Sequence, residues 1–488
     1  PRNDADPILE KVGYWTDNGA SYYYRFDENL GPENTLLAVR NEFARNGVPL
    51  GYLQLDSWFY PKGASGDWSE YTAGIYRYVA DPKLFPSGLR SFRDKLGLPL
   101  VTHARWIDAA SPYRRQYRHS GNVSIDVLYW KEIATYLRDS GALVYEQDWL
   151  GSEAQADLSL TDRRIHLEYM ANAMKEAGIA IQYCMPEPRH FLASTRYDNV
   201  TTIRVSEDKF GPARWDDFLY GSRLASALGL WPWADVMMTT DPGSLLLAAL
   251  SAGPVGVGDA LGKIRPGDLR RVVRADGVIV KPDVPAVPMD HVIIAEGRNE
   301  ILPMIAATHT AFEDSRVAYV VAFPRGHRND VHLDPGALGF TGPVYLFDYF
   351  AGTGIRLDAG QSFYTRLESG VKYWIVTPVT DSGMALLGDL GHFVSLGRKR
   401  IGSVRDDGRL TLTVRFAPGE SSRTISAWAP TPPDAEAFRG AAIMSSYDET
   451  SGLARITASP DAEGIAEIRL VLDRSHVVLS PRPAPRPR

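Results

Sequence analysis

Eight short apolar or β-branched runs recur through the first 290 residues, with helical patterns between most of them. That alternation constrains the fold more than any single motif. Residues 12–15, 52–56, 100–103, 143–148, 180–185, 201–208, 235–239 and 255–259 read as strands. Helices are predicted over 33–46, 88–96, 128–139, 163–177, 215–228 and 243–251. In the first of these, Leu36, Leu37, Val39 and Phe43 fall at helical spacing and Gly47 is placed to end the helix. Strands separated by helices pair in parallel through crossover connections. Eight such units in about 250 residues is the size of a closed (β/α)8 TIM barrel. An open doubly wound sheet is the alternative, but no Gly-rich phosphate fingerprint follows the first strand. Beyond residue 290 the texture changes. Strand-like runs at 316–323, 342–349, 372–378, 410–416, 424–428 and 466–472 are separated by Gly, Pro, Asp and Asn, with no convincing helix among them. The expectation is a barrel over residues 1–292, a C-terminal antiparallel β-sandwich over 293–478, and a disordered Pro/Arg-rich tail over 479–488.

Charge and cysteine content narrow the partners. Lys and Arg number 53 against 59 Asp and Glu, a net charge of −6, and the only dense basic run is the tail. Nucleic-acid binding is therefore not expected. The longest apolar stretch, 244–257, is broken by Gly and Pro and is too short to span a bilayer, so no membrane partner is expected either. Cys184 is the only cysteine, which excludes an intramolecular disulfide and a cysteine metal cage. His166 and His190 lack metal-ligand spacing, so no catalytic metal and no cofactor is expected. The chain begins at Pro1 rather than Met, as a chain trimmed of a leader would; cytoplasmic and secreted settings both stay open. A homo-oligomer is compatible with all of this.

In a TIM barrel the reactive groups sit at the C-terminal ends of the strands. Those ends carry Trp15 and Asp17, then Asp56 and Trp58, then His103, Arg105 and Trp106. Glu146, Asp148 and Trp149 follow on the fourth strand, Glu187 after the fifth, and Arg204, Glu207 and Asp208 on the sixth. Asp241 follows the predicted seventh strand and Asp259 ends the eighth. An acidic, aromatic rim suits a polyhydroxy ligand: rings stack on C–H faces and carboxylates accept hydroxyl hydrogen bonds. Two of the acids would suffice for glycosidic chemistry, one as nucleophile and one as proton donor.

At residues 145–148 and 204–208 the sequence resembles glycoside hydrolase clan D, the retaining α-glycosidases that include α-galactosidases, and within it family 36 members such as raffinose synthases. The resemblance is carried by an ordered set: Gly13-Tyr-Trp-Thr-Asp17, Leu53-Gln-Leu-Asp-Ser-Trp58, Phe85-Pro-Ser-Gly-Leu89, Tyr183-Cys-Met185 and Thr202-Ile-Arg-Val-Ser-Glu-Asp208. Ala234-Asp-Val-Met237, Ala252-Gly-Pro254, Val257-Gly-Asp259, 270–277 and 391–397 continue it. It implies a covalent nucleophile at Asp148, an acid/base at Asp208, and sugar contacts from Arg204 and Asp56. Trp15, Asp17, Trp58, His103, Arg105, Trp106, Glu146, Trp149, Glu187 and Glu207 are further candidate substrate-binding residues.

Two positions depart from the family pattern. Leu55 stands where a second acid is usual, and Glu146 where α-galactosidases place Lys. Both changes alter which sugar hydroxyls find a partner. An unpaired buried polar group costs about 1–3 kcal/mol, enough to change sugar preference. Galactose is therefore not the expected sugar, while α-glycoside cleavage is. The substrate expected is an oligosaccharide or glycoside cleaved at its non-reducing end. Transglycosylation of the raffinose-synthase type uses the same two acids and is one alternative; a carbohydrate-binding protein on an inactive scaffold is the other.

Overall fold

The computed structural model of this protein describes residues 6–472, apart from Leu158 and Asp314. The predicted tail and the end of the predicted sandwich lie outside the described residues. Eight parallel strands form one sheet: β1 (Gly13–Tyr14), β2 (Tyr52–Leu55), β3 (Leu100–Ala104), β4 (Ala142–Gln147), β5 (Ala180–Tyr183), β6 (Val200–Arg204), β7 (Trp231–Trp233) and β8 (Gly256–Val257). Neighbours in sequence are neighbours in the sheet, and β8 pairs with β1. The circle closes where Met237, beyond the end of β7, bridges Val257 of β8.

The intervening helices are α1 (Gly31–Arg45), α2 (Gly88–Leu96), α3 (Val127–Asp139), α4 (Leu160–Glu176), α5 (Pro188–Ser194), α6 (Trp215–Ala227) and α7 (Pro242–Leu250). Some start from side-chain caps that the sequence supplies. Asp126 accepts a hydrogen bond from the Leu128 amide at the start of α3, and Ser159 from Asp162 at the start of α4. The helix α1 buries Leu36, Val39 and Phe43, three of the four residues whose spacing predicts it. Pro186 and Pro188 read as a rigid loop in sequence, but Pro188 occupies the first turn of α5, where its missing N–H costs nothing.

The floor of the barrel is aromatic. Trp15 is fully buried, donates from Nε1 to the Tyr52 hydroxyl at 2.9 Å, and meets Trp233 edge to face. Gly256 makes room for it: a Cβ there would lie 2.1 Å from the Trp15 ring. This corrects the assignment of Trp15 to the substrate cleft.

Beyond the barrel the chain is mainly antiparallel. A six-stranded sheet contains Val287–Pro288, Met304–Ala311, Arg316–Phe323, Lys372–Pro378, Val344–Asp348 and Thr353–Leu357 in that spatial order. Two four-stranded sheets follow, one built on Arg423–Trp428 and Leu453–Ser459, the other on Leu410–Arg415 and Ile465–Leu472. Along Leu410–Arg415 buried residues alternate with half-buried or exposed ones, as expected of a sheet with one face on a core. The side chains of all three sheets and of the barrel join one hydrophobic core. A short helix, Asp290–Glu296, stands at the junction, where the sequence shows no convincing helical pattern. Among the described residues, no helix is long and apolar enough to cross a membrane.

Candidate active site

A cavity of about 310 Å³ opens at the C-terminal end of the barrel. Asp17, Asp56, His103, Arg105, Trp106, Glu146, Asp148, Trp149, Arg204 and Asp208 all line it. The parallel register explains the convergence: every βα unit delivers the residues after its strand to the same end. Asp148 comes from just beyond β4 and Asp208 from beyond β6, and they share this one hollow.

Backbone conformation at the rim is unusual. Trp149, Met185 and Lys209, the residues just after Asp148, Cys184 and Asp208, all have positive φ, at 61°, 46° and 61°. Each such non-glycine residue costs about 1–3 kcal/mol and persists only where surrounding structure holds it. Here the bends aim the preceding side chains into the cavity.

Asp148 is nearly enclosed. Its Oδ2 lies 3.0 Å from His103 Nε2, and its Oδ1 accepts from the Trp149 amide at 2.6 Å. Burial alone would raise its pKa. The hydrogen bond and charge of His103, with the charge of Arg204, overcome that and hold the carboxyl well below the usual range. His103 changes in the opposite sense. Burial disfavours its cation, but the charges of Asp56 and Asp148 push it up to about 9. At neutral pH the pair is imidazolium and carboxylate.

Asp208 is half-exposed and is held from two sides, by Arg204 Nη1 at 2.8 Å and Asn18 Nδ2 at 2.9 Å. The same Arg204 nitrogen reaches Asp235 at 2.7 Å. Burial raises Asp235 to about 6, the Arg204 charge opposing and the Asp208 charge adding. Below them, Glu146 accepts from Gln54 Nε2 at 3.0 Å and is pushed up to about 8, by burial first, against His103 and with Asp56. Asp17 accepts from the Val236 amide; burial, then the charges of Asp235 and Asp56, hold it well above the carboxylate range. Asp56 accepts from the Ser57 hydroxyl at 2.7 Å.

The remaining wall is aromatic. Trp106 and Trp149 meet edge to face at 4.8 Å, and the Arg105 guanidinium lies 5.7 Å from the Tyr71 ring centroid. Tyr71 and Thr72 come from the long loop after β2, so this loop walls the pocket. Buried Lys62 anchors it, donating to the carbonyls of Ser57 at 2.7 Å, of Tyr60 at 3.2 Å, and of Trp68.

Three further candidates lie elsewhere. Trp58 is fully buried behind Asp56, donating to Thr16 Oγ1 and stacked on Phe85, and has no face toward the cavity. Glu187 pairs with Arg189 at 2.7 Å, turned outward because α5 begins immediately after it. Glu207 is exposed and paired with Arg214 at 2.7 Å. The strand predicted at 235–239 is displaced: β7 is Trp231–Trp233, so Asp235 rather than Asp241 stands just after the seventh strand. Asp241 caps α7 through the Ser244 amide, and Asp259 accepts from Thr239. Asp235, Asn18, Tyr23 and Tyr71 also line the cavity and were not among the expected site residues; Asp235 stood out in sequence only as a barrel-end acid in the Ala234-Asp-Val-Met237 segment.

No family model and no curated protein matches this sequence. Solved structures do resemble it. The GH27 β-L-arabinopyranosidase of Geobacillus stearothermophilus superposes with a TM-score of 0.55 at 13% identity, over 76% of this chain and 96% of that one. A variant of the same enzyme in complex with arabinose gives 0.56 at 13% identity, over 76% and 97%. The two proteins share a fold. It is the architecture expected from the sequence, a TIM barrel followed by antiparallel sheets.

Proposed function

We propose that this protein is a retaining α-glycosidase of the clan D type, hydrolysing a terminal α-linked sugar by double displacement. The observation that carries the reading is the pairing of Asp148, held ionised by His103, with Asp208 across one cavity. Asp148 attacks the anomeric carbon while Asp208 gives a proton to the departing glycosidic oxygen. The sugar becomes an ester of Asp148, whose negative charge disappears. Asp208, having given up its proton, then takes one from water as that water cleaves the ester. Arg204 and Asn18 fix the Asp208 carboxyl during both steps. Trp106 and Trp149 offer apolar faces to the sugar or to the group it leaves.

The shared fold with a β-L-arabinopyranosidase supports the glycosidase reading. The chemistry of the floor argues against galactose: Leu55 is buried in the core, and Glu146 presents a protonated carboxyl where the α-galactosidase pattern has a cation. The test is a screen of nitrophenyl α- and β-glycosides with NMR observation of the first-formed anomer. Hydrolysis of an α-glycoside with retention, lost in Asp148→Asn and Asp208→Asn, supports the proposal; inversion, or turnover surviving Asp148→Asn, refutes it.

A further inference from the structure

We infer that the sugar taken by this cavity is acidic, bearing a singly charged oxyanion, and that Arg105 recognises it. The inference rests on the glycosidase reading and narrows its substrate class. Three permanent or stabilised cations line the cavity, and two are matched by carboxylates. His103 lies against Asp148 at 3.0 Å and Asp56 at 3.9 Å; Arg204 holds Asp208 and Asp235. Arg105 is only 4% exposed and has no carboxylate within ion-pair distance among the described residues. Its Nη1 donates to the carbonyls of Tyr71 and Ala73, which hold the group in place without balancing its charge. Its Nε is buried without a partner, and no protein group accepts from Nη2 among the described residues. A buried cation without a counter-charge is costly unless something else supplies one.

The slot is rigid. The guanidinium carbon lies 5.7, 5.8 and 5.6 Å from the ring centroids of Tyr71, Trp106 and Trp149, three aromatic faces that favour the cation and fix its plane. Lys62 stands behind the same wall, over the Tyr24 and Tyr60 rings, and also lacks a carboxylate partner among the described residues. Burial, then the Arg105 charge, lowers Lys62 to about 7. Of the acids around the cavity, burial favours the protonated forms of Glu146 and Asp17, while Asp56, Asp148, Asp208 and Asp235 are turned to His103 and Arg204. One guanidinium without an ion-pair partner, held among three rings, offers its Nη2 to one singly charged oxyanion. A uronate carboxylate or a sulfate ester meets that condition; a doubly charged phosphate monoester leaves one charge over.

The test is calorimetric titration of the full chain with glucuronate, galacturonate, galactose 6-sulfate, glucose and galactose. An acidic sugar should bind on the order of tenfold or more tighter than its neutral parent, and less so in high salt. The uronates and the sulfate ester tell the two sources of the anion apart. In Arg105→Met the preference should vanish, while Arg105→Lys should keep part of it. The inference is overturned if no acidic sugar outbinds its neutral parent, or if Arg105→Met weakens both alike. Turnover of nitrophenyl glycosides separates the two claims. Tight acidic-sugar binding without turnover of any glycoside defeats the glycosidase reading alone. Preferential turnover of neutral glycosides defeats this inference alone.

Discussion

Replacing His103 with Gln keeps a hydrogen-bond donor beside Asp148 and removes the positive charge. The contact is 3.0 Å between Nε2 and Oδ2, and both side chains are nearly enclosed. Taking charge centres about 4 Å apart and an effective dielectric near 20, the lost attraction is about 4 kcal/mol. At about 1.36 kcal/mol per pKa unit, that is at most about 3 units on Asp148. Arg204 retains part of the hold, so roughly 2–3 units is the expected rise. The acidic limb of the kcat/KM profile should move up by that amount, so the variant loses most activity at mildly acidic pH and least near neutrality. Stability changes in a matched way. His103 has its folded-state pKa raised from 6.5 to about 9, so its contribution is complete below pH 6.5 and fades as pH rises through 9. The difference in melting temperature between wild type and variant should shrink across that window. An acidic limb that does not move would refute the claim that His103 keeps Asp148 ionised.

Other perturbations follow the same physics. Glu146→Gln mimics the protonated acid; because burial raises Glu146 from 4.5 to about 8, wild-type stability should fall as pH rises between those values, and the variant's melting temperature should exceed wild type's above pH 8. Arg204→Met leaves Asp208 and Asp235 without their shared cation and should cost about 3–5 kcal/mol in urea unfolding, more at neutral than at acidic pH. Gly256→Val forces side-chain atoms into the Trp15 ring and should destabilise by about 1–3 kcal/mol or more in the same assay.

The barrel was legible because its parallel strands are short apolar runs spaced by amphipathic helices, and the end of each run marks the site. That logic located Asp148, Asp208, Arg204 and the third-strand group of His103, Arg105 and Trp106 at one mouth. It failed at β7 for a physical reason. Trp-Pro-Trp reads as a turn because Pro232 lacks an amide donor, yet β7 ends the continuous ladder and the circle closes through Met237, so no bond is lost there. The error moved the seventh strand-end acid from Asp235 to Asp241. Trp58 misled for a different reason: nothing in sequence separates a ring that stacks on a ligand from one that packs on Phe85. In the C-terminal region the missed strands lack contrast. Met304–Ala311 is rich in Ala and Thr, and Thr353–Leu357 is exposed at every position but its last. The ring-lined slot around Arg105 was invisible because Tyr71 enters from a loop without periodicity.

The most direct test of the account is covalent trapping. The protein would be incubated with a panel of 2-deoxy-2-fluoro α-glycosyl fluorides, neutral and acidic, and the labelled peptide identified by mass spectrometry. The account predicts one glycosyl ester, on the peptide carrying Asp148, with loss of activity in proportion to labelling. A label on another carboxylate, or steady turnover of α-glycosides with inversion and no adduct, would contradict it.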